Sequence, residues 1–102
     1  MTAELALSEA ELAEVRAILA RHLPSDVTVA VFGSRAGGKP KPWSDLDLVL
    51  KGPDTLTLEL MGALAEAFDD SALPWKVDLV DRSAVSQAFG AMIDAGCIAL
   101  LP

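Results

Sequence analysis

Leu12, Val15, Ile18 and Leu19 recur at the spacing of one helix face. Ser8 stands three residues before Glu11, the pattern of a capping box. The pattern therefore predicts a helix from about Ser8 to His22, closed by Pro24. Val27 to Phe32 is β-branched and apolar and reads as a buried first strand. From Gly33 to Ser44 the periodicity stops, and glycines, prolines, Arg35, Lys39 and Lys41 replace it, which predicts a loop. Asp45 to Lys51 alternates as a second strand, with Leu46, Leu48 and Leu50 on one face and Asp45, Asp47 and Val49 on the other. After Gly52-Pro53, Asp54 or Thr55 is the expected cap of a helix whose stripe is Leu60, Met61, Leu64 and Phe68.

Pro74 resets the chain before a third strand, Trp75 to Asp81, with Val77 and Leu79 on the core side and Lys76 and Asp78 on the other. Ser83 is the expected cap of a last helix with the stripe Val85, Phe89, Met92 and Ile93 and its end at Gly96. Cys97 to Leu101 is apolar enough for a short fourth strand. This order predicts a single α/β or α+β domain over residues 1–102, without repeats or linkers. A chain of 102 residues, 52% hydrophobic, suits one core.

The formal net charge of -7 opposes broad phosphate neutralisation, so no direct nucleic-acid contact is expected. Any polyphosphate must be held locally, by cations and a few basic side chains. A lone cysteine, Cys97, cannot form an intramolecular disulfide and suits a reducing compartment. Met1 to Leu7 lacks the basic start and apolar run of an export signal, and no apolar stretch reaches the roughly 18–20 residues that span a bilayer. The expectation is a cytoplasmic protein with no membrane partner.

The candidate chemistry starts from Asp45 and Asp47. Residues i and i+2 of a strand project from one face roughly 7 Å apart, which allows two carboxylates to share hard cations. Taken alone, such a tripeptide reads as a solvated edge strand. Two features change that. Gly33-Ser34 follows the first strand directly, where a glycine lets the backbone approach a phosphate and the following amides and hydroxyl can donate to it. Asp78 lies on the non-core side of the third strand. Three carboxylates from two strands, facing a turn that can cradle phosphate, describe a two-metal phosphoryl-transfer site.

Gly33-Ser34, ten intervening residues, then Asp45-Leu46-Asp47 resembles the GSx10DxD signature of the minimal nucleotidyltransferases of the DNA polymerase beta-like superfamily. The resemblance extends over VFGSRAGGKPKPWSDLDLVL and WKVDLVD, and in order of elements over nearly the whole chain. It implies a mixed sheet of about four strands flanked by helices. It also implies Asp45, Asp47 and Asp78 as Mg²⁺ ligands, with Asp78 as a third carboxylate that also helps activate the acceptor hydroxyl. Gly33 and Ser34 would bind the triphosphate of ATP, with Arg35 and Lys39 stabilising the departing pyrophosphate.

The other candidates read as structural. His22 lies at a helix end, and Trp43 suits loop packing, a stacked base or a partner. Trp75 reads as core or interface, Cys97 as a small buried residue, and Asp69, Asp70 and Asp81 as solvated helix-end or turn residues. Chains of this length resemble the antitoxins of HEPN/MNT toxin–antitoxin pairs. The resemblance implies transfer of AMP from ATP to a tyrosine hydroxyl of a helical HEPN RNase toxin. Two alternatives are an antitoxin that sequesters the toxin without catalysis, and a small-molecule nucleotidyltransferase working with a helical partner subunit.

Overall fold

The computed structural model describes residues 5–101, so the reading of Met1 to Leu7 falls largely outside it. The elements are α1 (Glu9–His22), β1 (Thr28–Phe32), β2 (Leu46–Lys51), α2 (Leu58–Asp69), β3 (Val77–Asp81), α3 (Gln87–Ala95) and β4 (Ile98–Leu101). Short 3-10 turns follow β1 (Gly33–Arg35) and β3 (Arg82–Ala84). Helix α1 starts on the expected capping box: Ser8 Oγ accepts the Glu11 amide at 3.0 Å, and the Glu11 carboxylate accepts the Ser8 amide at 2.9 Å.

The strand order is β3-β2-β1-β4. β1 is antiparallel to β2 and β4, whereas β2 and β3 run parallel. A parallel neighbour needs a crossover, and α2 supplies it. One sheet face carries the main core: Val29, Val31, Leu46, Leu48, Leu50 and Val77 pack against Val15, Ile18 and Leu19 of α1 and Leu64 and Phe68 of α2. The other face is not wholly polar. There Phe32 and Val49 pack against Ile93 of α3, and Phe89 meets Phe32 edge-on at 6.0 Å. The mixed four-stranded sheet with three helices is the α+β arrangement expected from the sequence.

Two helix caps differ from expectation. Thr57 caps α2 in place of Asp54 or Thr55, and Ser86 caps α3 in place of Ser83. The cause is Asp81, which is not a solvated turn residue but only 9% exposed. Its carboxylate accepts the Leu56 amide at 2.8 Å, the Ser83 amide at 2.9 Å and the Ser83 hydroxyl at 2.8 Å. Ser83 Oγ also lies 3.2 Å from Thr55 Oγ1. This polar cluster occupies the Thr55 and Ser83 side chains. Burial acts to raise the Asp81 pKa, but these hydrogen bonds outweigh it and hold the carboxyl below its ordinary value.

Three further expectations are corrected. β3 begins at Val77, because Trp75 and Lys76 lie ahead of it; the Lys76 carbonyl accepts the Leu46 amide at 2.9 Å. Met92 is 62% exposed, since α3 turns Gly90 and Ile93 inward and leaves Met92 on its flank. Cys97 is exposed.

Candidate active site

The turn after β1 is shaped by Gly33, whose φ of +76° lies in the left-handed region that a side chain disfavours. A Cβ at this position would collide with the Asp47 carboxylate, so the glycine keeps turn and strand in direct apposition. Gly38 packs in the same way over the backbone of Ser34, folding the loop back on its own start. Gly33 and Ser34 are exposed there, and their position leaves backbone and hydroxyl accessible to a ligand.

Register brings the carboxylates together. Asp47 and Asp78 are direct partners in the parallel β2–β3 pair, at the roughly 4.8 Å separation of neighbouring strands. Asp45 stands just before β2. Asp47 is half-buried, and its pKa is raised by that burial, by the charge of Asp78 and by the charge of Asp45. An acceptor-only Asp47 pressed by two neighbouring carboxylates is suited to a hard, oxygen-bound cation. Lys76 offsets Asp78 only loosely, at 3.5 Å and largely exposed.

Among the described residues, no group of three or more His, Cys, Asp or Glu side chains is placed to hold a metal ion together. Magnesium does not require one, because it keeps several waters and binds through one or two carboxylates plus substrate phosphates.

Arg35 departs from its expected role. It is 5% exposed, and its guanidinium is committed to the protein's own backbone. Nε and Nη2 donate to the Ser44 carbonyl at 3.0 and 2.8 Å, Nη1 donates to Ala6 at 2.8 Å, and Nη2 also reaches the Lys41 and Pro42 carbonyls at 3.4 Å. It lies 4.7 Å over the buried ring of Trp75, which makes Trp75 a core residue. A guanidinium held this way has no face left for pyrophosphate, so Arg35 is a staple of the loop that leads into Asp45. Lys39 is exposed one residue beyond Gly38. Trp43 is 71% exposed, with Lys41 Nζ 5.5 Å from its ring centre.

A cleft of about 510 Å³ runs along the site, lined by Phe32, Gly33, Gly37, Gly38, Asp47 and Met92 among others. Sequence reasoning missed Phe32 and Met92 as cleft residues, since both read as core; only the crowding of Gly33, Gly37 and Gly38 signals that something must approach closely here. His22 lines a separate cavity of about 340 Å³ with Pro24, Val27 and Leu56, which includes none of the three carboxylates.

This sheet, with a glycine turn apposed to strand carboxylates, defines the class: a nucleotidyltransferase. The chain belongs to the nucleotidyltransferase domain family, whose model matches residues 12–95, and within it to the minimal nucleotidyltransferases. It is 44% identical over 91 residues to the probable protein adenylyltransferase MntA of Haemophilus influenzae, covering 89% of this chain and 79% of that one. A toxin–antitoxin crystal structure with AMP-PNP superposes with a TM-score of 0.73 at 27% identity, over 87% of this chain and 71% of that one. The complex of tri-AMPylated Shewanella oneidensis HEPN toxin with MNT antitoxin gives 0.66 at 23% identity, over 87% and 67%, a likeness of fold alone. Among the described residues, no helix is long and apolar enough to cross a membrane.

Proposed function

We propose that this protein is a magnesium-dependent antitoxin that transfers AMP from ATP to a tyrosine hydroxyl of a HEPN-type RNase toxin. The observation that carries the reading is the apposition of the Gly33 turn to Asp47, with Asp78 its register partner. The Gly33-Ser34 turn offers amides and a hydroxyl to the triphosphate, and Lys39, exposed in the same loop, adds charge. Asp45 and Asp47 would hold Mg²⁺, which when bound supplies positive charge for the phosphate oxygens. Asp78 accepts the proton of the acceptor hydroxyl as its oxygen bonds to the α-phosphorus. The bond from that phosphorus to the bridging oxygen breaks, and pyrophosphate leaves. The relatives support this reading by their names, one as a probable protein adenylyltransferase and one as a toxin–antitoxin with AMP-PNP. An exposed free Cys97 suits the reducing cytoplasm as the place of action.

The test separates catalysis from sequestration. Purified toxin is incubated with ATP, Mg²⁺ and one tenth as much of this protein, then separated, weighed by mass spectrometry and assayed for RNase activity. The expected result is AMP on a tyrosine and lasting inhibition that requires Asp45, Asp47 and Asp78. Full recovery of RNase activity on separation, with no added mass, would assign the protein to non-covalent sequestration.

A further inference from the structure

The cleft beside Asp47 has two kinds of wall. Gly33, Gly37 and Gly38 bring bare backbone and Asp47 a carboxylate to its lining, while Phe32, Met92 and Gly96 contribute no polar side-chain group. Exposed large apolar side chains also occur at Trp43 and Leu58, but Met92 is the one that lines this cleft. Its neighbour Ile93 is 1% exposed, so the orientation of α3 is fixed, and Met92 stands 62% exposed at the cleft. Its thioether is therefore open to whatever occupies the cleft beside Asp47.

We infer that Met92 is the platform on which the base of the donor nucleotide stacks; this rests on the nucleotidyltransferase reading of the same site. The phosphates belong where backbone amides and metal-binding carboxylates are, which fixes one end of the nucleotide at Gly33 and Asp47. The base is flat and aromatic and must occupy the apolar remainder of the cleft. The volume lies within the range of roughly 300–1,000 Å³ that small-ligand pockets occupy. A thioether is polarizable, makes favourable contact with aromatic rings and adapts to their tilt. Because Phe32, Met92 and Gly96 bring no side-chain donors or acceptors, the platform holds a base by its face and not by its edge. It is therefore expected to serve purines of either kind.

The test compares Met92→Ala and Met92→Leu with the unaltered protein by calorimetric titration in Mg²⁺, using ATP, GTP and inorganic tripolyphosphate. Met92→Ala should weaken ATP and GTP alike, about five- to tenfold, and leave tripolyphosphate unchanged. Met92→Leu should retain most of the affinity. Unchanged ATP affinity in Met92→Ala, with tripolyphosphate still bound, overturns the platform and leaves the nucleotidyltransferase reading standing. Equal loss of ATP and tripolyphosphate also overturns it, since the residue would then act on the phosphate end. If the unaltered protein binds neither ATP nor tripolyphosphate, the underlying reading itself fails.

Discussion

The Arg35 guanidinium holds the Ser44 carbonyl with two hydrogen bonds, at 3.0 and 2.8 Å, immediately before Asp45 leads into β2. Arg35→Met removes that hold and leaves the Ala6 and Ser44 carbonyls without their charged donor, so stability should fall by about 3 kcal/mol in urea titration. Arg35→Lys should restore only part, because an ammonium cannot fork to several carbonyls and lie over Trp75 at once. A residue that served only pyrophosphate would leave the urea midpoint unmoved.

Asp81 secures the far end of β3, where it takes both the Leu56 and Ser83 amides. Its folded pKa is lowered, so its contribution to stability is complete above the unfolded carboxyl value of about 3.9 and is lost as pH falls through the folded value. Asp81→Ala should cost about 2–4 kcal/mol at neutral pH, with buried amides left unpaired. The penalty should shrink as pH falls through the folded value and the unaltered protein loses the same interaction. A penalty independent of pH would show that shape and not charge matters there.

Asp47 has the opposite sign. Its folded pKa is raised, so its contribution is fully present below the unfolded value and is lost as pH rises through the folded one. At neutral pH its charge therefore opposes folding. Asp47→Asn should raise Tm at pH 7 while reducing transfer roughly a hundredfold or more. Mg²⁺ or Mn²⁺ should raise the Tm of the unaltered protein and not that of the variant. A variant that melts lower than the unaltered protein at pH 7 would contradict the repulsion among Asp45, Asp47 and Asp78.

Much of this site was legible because strand alternation is a strong code. The positions of Leu46, Leu48 and Leu50 placed Asp47 on the opposite face, and the same logic on Val77 and Leu79 placed Asp78 beside it. Capping at Ser8 was equally local. What could not be read depends on contacts between segments distant in sequence. Thr57 and Ser86 cap their helices because Asp81 captures Leu56 and Ser83. Arg35 resembles a phosphate ligand in a basic loop until the Ser44 and Ala6 carbonyls and Trp75 close around it. Met92 fits the helical stripe, and only the seating of α3 on Ile93 leaves it outside.

The apposition of Gly33 and Asp47 can be measured directly, because two separate effects act on Gly33→Ala. The positive φ of Gly33 penalises any side chain by about 1–2 kcal/mol, whatever stands nearby. The collision of the new Cβ with the Asp47 carboxylate is a further cost that exists only while the carboxylate is there. In a double-mutant cycle on stability, Gly33→Ala should therefore be more damaging in the unaltered background than in Asp47→Ala, with a coupling of about 1 kcal/mol or more. The backbone penalty should remain in both backgrounds and cancel from the coupling. Urea titration of the four proteins gives the answer without any assay of transfer, so it tests the geometry independently of the chemistry. Strict additivity would mean that turn and strand do not touch, and with it the phosphate turn would lose its connection to the proposed metal ligand.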